Sequence, residues 1–370
     1  MGHGRNGVTW QAPGRVNLIG EHTDYNAGFV LPFAIEQACT ATVERIDERT
    51  LAISSTQRAE TPHFALDGLE PGAADGWAGY AAGVVWALLR LGADVPGLRI
   101  ALDSTVPPGA GLSSSAALTC AVATAVDDLL GLRLSAGELL SVTRSAENDF
   151  VGAPTGGMDQ LAALNCTAGN VLFCDMRTLE TEHVPLPLAA SGLTILVVDT
   201  HAAHRHADGE YQLRRAGCER AAHLLGLTSL RELTVADLDP ALDRLPSDDL
   251  RRYTRHVVTE NERVLRTVDL LRDAALAETG PLLTASHESL RDDYRVSITE
   301  LDAAVATLLA HGALGARMTG GGFGGSIIAL IAEERCDAAV KAVTITFRQH
   351  GFVAPSAFTA RPSRGAHRVG

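Results

Sequence analysis

Hydrophobic and polar positions alternate over residues 15–19, 99–105 and 193–199, a two-residue period that predicts strands, and residues 326–332 read as a strand as well. Stretches of helix length lie between them. Residues 77–91 are apolar on one face and stop at Gly92, and residues 113–130 are apolar, rich in alanine and stopped by Gly131. Ser135-Ala-Gly-Glu138 reads as a capping box, in which serine and glutamate satisfy each other's free backbone N–H groups. It opens a helix that must end before Pro154. A last helical pattern covers 333–350 and is stopped by Gly351. Strands and helices interleave, so the class is mixed α and β. No internal repeat or low-complexity tract interrupts the chain. The polar, proline-bearing stretch 178–192 is the expected domain crossing, giving units of 1–180 and 181–370. Beyond Pro355 the tail carries arginines and no acid, which leaves it either frayed or a final edge strand.

Composition narrows the class. The chain has 370 residues, 46% of them hydrophobic and 20% charged, which suits a soluble globular protein of two domains. A net charge of −13 argues against nucleic acid or an anionic membrane as partner, because both favour basic surfaces. Among the 31 basic residues only Lys341 is a lysine. P-loop, protein-kinase and Schiff-base chemistries each require an active-site lysine, so all are excluded unless Lys341 supplies it. The six cysteines are scattered without a C-x-x-C pair, which points to small buried residues in a reducing cytoplasm rather than a disulfide framework or zinc site. The N-terminal MGHGRNGVTW lacks an apolar core of signal-peptide length, and no run approaches the roughly 18 apolar residues of a membrane span.

Four segments carry candidate chemistry. Pro107-Pro-Gly-Ala-Gly-Leu-Ser-Ser-Ser-Ala116 joins a strand to a helix N-terminus, where glycine N–H groups and the helix dipole could cradle a phosphate without lysine. A tight turn with a serine cap explains the same residues equally well. Thr319-Gly-Gly-Gly-Phe-Gly-Gly325 has five glycines in seven positions, so its backbone must approach something closely, either a ligand or another loop. In Ala12-Pro-Gly-Arg-Val-Asn-Leu-Ile-Gly-Glu-His-Thr-Asp-Tyr-Asn26 a strand delivers Glu21, His22 and Asp24 at one turn. Carboxylates there can accept hydrogen bonds from neighbouring sugar hydroxyls; alone, the turn is also a solvated acidic loop. Finally, Ala146 to Gln160 places Glu147 on a helix and Asp159 after a Pro-Thr-Gly-Gly loop, an arrangement able to hold Mg²⁺ and to reach a substrate hydroxyl.

These segments, in order, resemble the GHMP superfamily of small-molecule kinases, and within it the galactokinases most closely. GRVNLIGEHTDYNAGFVLP (14–32) is similar to the galactokinase signature, while PPGAGLSSSAAL (107–118) and ARMTGGGFGG (316–325) resemble the superfamily's second and third motifs. EYQLRR (210–215) and the tail PSAFTARPSRGAHRV (355–369) extend the similarity along the chain. The resemblance implies an α+β fold of two domains, one like ribosomal protein S5 and one ferredoxin-like, with the site in the cleft between them. It implies galactose and MgATP as ligands, no nucleic acid, membrane or obligate protein partner, and phosphorylation of the anomeric hydroxyl.

By that resemblance Asp159 takes or orients the proton of the attacking hydroxyl, and Arg15 lies beside it and stabilises the transferring phosphoryl group. Glu21, His22, Asp24, Gly156 and Tyr211 form the sugar set. Gly109, Gly111, Ser113, Ser114 and Ser115, with Gly321 and Gly322, form the ATP set, and Ser115 or Ser114 holds Mg²⁺ opposite Glu147. Trp77 and Tyr80 are adenine-pocket candidates that serve equally as a helix core face. His201-x-x-His204-x-His206 has metal-ligand spacing but falls where the family has no metal, so solvated loop histidines are expected. Gly209 and Pro108 depart from residues usual in the family. Sister sugar-1-kinases acting on N-acetylgalactosamine, galacturonate or arabinose, and a silent galactose sensor, are the competing readings.

Overall fold

The computed structural model describes residues 7–153, 155–202 and 207–370. The chain begins with β1 (Gly7–Asn17), a tight turn, the short β2 (Phe29–Val30) and the long β3 (Pro32–Ile46). β4 (Thr50–Ser55), β5 (His63–Ala65), α1 (Trp77–Arg90), β6 (Gly97–Ser104), α2 (Ser114–Leu130) and α3 (Ala136–Ser145) follow. A π-helical turn (Ala146–Val151) leads to α4 (Met158–Asn165) and a hairpin of β7 (Asn170–Asp175) and β8 (Glu180–Pro185). β9 (Leu193–Asp199) precedes five helices: α5 (Ala207–Leu225), α6 (Leu238–Asp243), α7 (Asp248–Arg272), α8 (Gly280–Asp292) and α9 (Thr299–Ala310). The chain closes with β10 (Gly315–Thr319), β11 (Ser326–Ala332), α10 (Cys336–His350), β12 (Ser356–Ala360) and β13 (His367–Arg368).

Three sheets result, in the orders β13-β1-β3-β6-β4-β5, β10-β11-β9-β12 and β2-β7-β8. β6 shows why alternation works as a signal: Leu98, Ile100 and Leu102 are buried while Arg99, Ala101 and Asp103 face water. β11, and β9 from Ile195 to Val198, are instead unbroken apolar runs because both their faces are covered. Ile195, Val197, Ile328 and Leu330 pack into the core of the first half, and Leu196, Val198, Ile327 and Ile331 into that of the second. Each such side chain contributes roughly 1.5–3 kcal/mol by burial, so this sheet is a shared wall joining the halves. Alanines at 116, 117, 121, 123 and 125 keep α2 slim enough to lie directly on β1 and β3.

Residues 193–199 and 326–332 form strands with the expected bounds. The capping box at Ser135 is present, with Glu138 N donating to Ser135 Oγ at 3.3 Å and Ser135 N donating to Glu138 Oε2 at 2.8 Å. The strand expected at 15–19 starts at Gly7 and ends at Asn17, because an irregularity in the β1–β3 register between Pro13 and Arg15 disguises one strand as two pieces. Part of the stretch read as a crossing is β8, an edge strand that looks like a loop in sequence because only Val184 of its six residues is buried. The tail forms two edge strands: β12 pairs with β9, and β13 returns to β1. All six cysteines are free and buried. Among the described residues no helix is long and apolar enough to cross a membrane.

Candidate functional site

The first two motif loops are stitched together by hydrogen bonds from Arg15 to backbone carbonyls. Arg15 N donates to Leu112 O at 3.1 Å, and Arg15 Nη1 donates to Gly111 O at 2.6 Å. The third loop meets the second: a Cβ on Gly320, whose φ is +85°, would lie 2.8 Å from Gly111 O. Gly320 is therefore required by another loop rather than by a ligand.

Asp159 lies not on a loop but in the first turn of α4, immediately after Gly157 and Met158. Its Oδ1 receives Arg15 Nε at 2.9 Å and Arg15 Nη2 at 2.8 Å, and its Oδ2 accepts from Ser113 Oγ at 2.6 Å. Arg15 is buried, so this ion pair is shielded from water on one side. Ser113 occupies the N-cap position of α2 at φ +60°, yet its hydroxyl turns to Asp159 and caps nothing. The first-turn N–H groups of α2 are thus left without a side-chain cap, beside Ser114 and Ser115 and with Gly109 and Gly111 in left-handed conformations just upstream. That is an anion-binding geometry.

Glu147 belongs to the π-helical turn and is fully buried. Its Oε2 accepts from Ser115 Oγ at 3.2 Å, and its Oε1 from Thr119 Oγ1 at 3.2 Å and Gln160 Nε2 at 2.9 Å. All three donors are neutral. Burial, and then the charge of Asp159, raise its pKa to about 7. A buried carboxylate lacking a counter-charge and set beside a hydroxyl is a suitable oxygen site for a hard divalent cation.

The acidic turn lines a cleft of about 130 Å³, in which Glu21, His22, Asp24, Gly156 and Tyr211 meet Arg15, Asp159 and Gly321. This is well below the several hundred Å³ of drug-sized sites and suits a small polar molecule. Glu21 is already engaged: Oε1 accepts from Gly320 N at 2.7 Å and Thr319 Oγ1 at 3.1 Å, and Oε2 accepts from Asn17 Nδ2 at 3.0 Å. Asp24 has its pKa raised to about 6 by burial and by the charge of Asp159. Gly156 is dictated by Asp24, whose carboxylate occupies the space a Cβ would need. Gly156→Ala should therefore lower stability by about 1–3 kcal/mol, as overpacking does, and displace Asp24; an unchanged melting temperature would refute that contact.

Other expected residues lie elsewhere. Trp77 and Tyr80 are half-buried on α1, Trp77 packing against the first core, and neither borders this cleft. Gly322, at φ +79°, has no room for a Cβ beside the carbonyl of Val296. His201 pairs with Asp199, its Nδ1 3.3 Å from Oδ2, while His204 and His206 lie outside the described residues. Among the described residues no group of three or more His, Cys, Asp or Glu could hold a metal.

Sequence reasoning missed the second layer. Arg317 on β10 is fully buried and donates from Nη1 to Asn17 O at 3.0 Å and Leu18 O at 3.2 Å, 3.5 Å from Glu21. On α7, Glu260 Oε1 accepts from Gly20 N at 3.0 Å, Asn261 Oδ1 from Phe29 N at 2.9 Å, and His256 Nε2 contacts Glu21 O at 3.1 Å. The three residues on α7 sit 232–240 positions from the turn they hold, and Arg317 lies 300 positions from Asn17. Only the occurrence of the α7 residues on the apolar face of a long helix could have drawn notice.

Comparison with known proteins gives the family. The galactokinase galactose-binding signature matches residues 2–45, the N-terminal domain of the GHMP kinases matches 79–166, and the C-terminal domain matches 267–349. Galactokinase from Streptomyces coelicolor is 51% identical over 362 residues, covering 97% of this chain and 94% of its own. That of Mycobacterium tuberculosis (strain ATCC 25618 / H37Rv) is 46% identical over 330 residues, covering 89% and 90%. The crystal structure of Lactococcus lactis galactokinase complexed with galactose superposes with a TM-score of 0.95 at 32% identity, over 99% of this chain and 96% of that one. Mevalonate kinase from L. major, at 21% identity and a TM-score of 0.66 over 96% of each chain, shares the fold. The chain belongs to the galactokinase family of the GHMP kinases.

Proposed function

We infer that this chain transfers the γ-phosphoryl group of ATP to the anomeric hydroxyl of α-D-galactose, giving galactose 1-phosphate and ADP. The observation that carries the reading is Asp159, bound by Arg15 and Ser113 where the sugar-sized cleft meets the uncapped N-terminus of α2.

Galactose would lie against Glu21, His22, Asp24, Gly156 and Tyr211, with its anomeric hydroxyl toward Asp159. Phosphoryl transfer has a loose transition state, so positioning and charge stabilisation do most of the work. Asp159 accepts or orients the hydroxyl proton, and Arg15 holds that carboxylate while stabilising charge on the transferring group. Ser113, Ser114 and Ser115 with Gly109 and Gly111 line the phosphates; Gly321, which borders the cleft, closes the opposite side. Mg²⁺ brought with ATP would be held by Glu147 and Ser115 and would neutralise phosphate charge. Six unpaired cysteines suit a reducing cytoplasm.

Coupled detection of ADP release with galactose, N-acetylgalactosamine, galacturonate and arabinose tests the reading. Turnover should be greatest with galactose, and no galactose-dependent release would overturn it. Lys341 is exposed on α10, which lines no part of the cleft. Lys341→Arg should leave the ADP rate within about twofold, as surface substitutions usually do; a large loss would mean the phosphate site does use a lysine.

A further inference from the structure

One wall of the cleft is made by consecutive residues, Thr155 to Asp159. Met158 and Asp159 stand on α4, and Asp159 has partners of its own in Arg15 and Ser113. Thr155, Gly156 and Gly157 instead form a loop between the π-helical turn and α4. Glycine loses more conformational freedom on ordering than any other residue, so a loop of this composition keeps its shape only if something outside holds it.

Asn148, in the π-helical turn, supplies the hold. Thr155 N donates to Asn148 Oδ1 at 2.7 Å, and Asn148 Nδ2 donates to Thr155 O at 3.2 Å. A backbone N–H only donates and a carbonyl only accepts, so one orientation of the amide satisfies both. Thr155 Oγ1 adds a longer bond to the same Oδ1 at 3.3 Å. Among the described residues, the backbones of Thr155 and Gly156 make no other hydrogen bond.

The widened turn explains how Asn148 reaches the loop. Gly152 N and Ala153 N both bond to Glu147 O, and the added width lets consecutive side chains serve two places. Glu147 turns inward to Ser115, Thr119 and Gln160, while Asn148 turns to Thr155. One turn earlier the stem of Arg144 packs over Gly157, where a Cβ would lie 2.9 Å from Arg144 Cδ. At Gly156 the loop meets the Asp24 carboxylate with no space to spare. A loop that shifts therefore displaces Asp24 as well as the wall.

We propose that Asn148 is a positioning residue for sugar recognition, its amide holding residues 155–157 in register with Asp24. The sugar in that statement rests on the galactokinase reading above; the hold on the loop does not. Asp159 and the serines of the phosphate loop are anchored separately, so sugar affinity is the quantity Asn148 controls.

In the full chain, Asn148→Ala should raise KM for galactose roughly tenfold, the scale of one lost hydrogen bond. Meanwhile kcat and KM for ATP should move less than about threefold. Asn148→Asp keeps the acceptor for Thr155 N and loses only the donor, so its galactose KM should return to within about threefold of the parent. Asn148→Leu, of similar size but without polar atoms, serves if the alanine variant does not fold. Without any ligand, hydrogen exchange at the Thr155 amide should be slow in the parent and at least about tenfold faster in the alanine or leucine variant. An unchanged galactose KM overturns the proposal even if the melting temperature falls, because that is the mark of a merely structural role. So do equal rises in both KM values, an aspartate variant no better than alanine, or a Thr155 amide that exchanges as fast in the parent as in the variants. Absence of turnover with any sugar would count against the functional reading alone, since exchange is measured without sugar.

Discussion

Asp159→Asn should bind galactose within about threefold of the unaltered chain and lose about 10²–10⁴ in kcat, the usual contribution of a general base. The asparagine keeps the shape of the carboxylate. Its carbonyl can still accept from Arg15 and its amide can face Ser113, whose hydroxyl can turn to accept. What it loses is the capacity to draw a proton from the sugar hydroxyl. Sugar affinity measured by calorimetry and turnover by ADP release separate the two effects. A kcat near that of the unaltered chain would remove Asp159 from the reaction.

Replacing the other central acid should move stability and activity in opposite directions. Glu147 has a folded-state pKa of about 7 against 4.5 for an ordinary glutamate. The folded chain therefore binds more protons than the unfolded one between those values, and stability falls as pH rises through that window. The loss is complete above pH 7 and amounts to as much as about 3 kcal/mol. Glu147→Gln removes the penalty while preserving the contacts: its carbonyl can accept from Thr119 and Gln160, and Ser115 can rotate to accept from its amide. The variant should melt at a higher temperature than the parent at pH 8, and the gap should close near pH 4.5. Turnover should meanwhile fall by at least about 10²-fold, the scale of losing a charge that supports phosphoryl transfer. MgATP should raise the melting temperature of the parent more than that of the variant. A variant that is less stable at pH 8, or fully active, would contradict this account of Glu147.

The residues closest to the proposed chemistry were legible because each sits in a short local pattern. Asp159 follows Gly156-Gly157, Ser113 follows Gly109-Ala-Gly111, and Glu21, His22 and Asp24 share one turn. Their supports were not. Arg317, Glu260, Asn261 and His256 act on that turn from the far half of the chain, and no local period encodes a contact across some 230–300 positions. Secondary structure divides similarly. β11, and β9 from Ile195 to Val198, were readable because burial on both faces leaves an unbroken apolar run, whereas β8 was hidden because one buried side chain in six leaves hardly any pattern. The Gly320 approach could be anticipated as a close contact, but its partner, Gly111, emerged only from the folded chain.

The return of the tail has a consequence for how the protein is made. β13 pairs with β1 at Trp10 and Gln11, Val369 N donates to Thr9 O at 2.9 Å, and Ser363 N donates to Ala34 O at 2.8 Å. While the chain is still on the ribosome, the outer edge of β1 faces solvent with open backbone groups, the same strand that carries Arg15. Such an edge is a template for pairing with other chains. Pairing by β13 therefore acts as a latch, closing an edge of the sheet that bears the sugar motif and that would otherwise be open to misassociation.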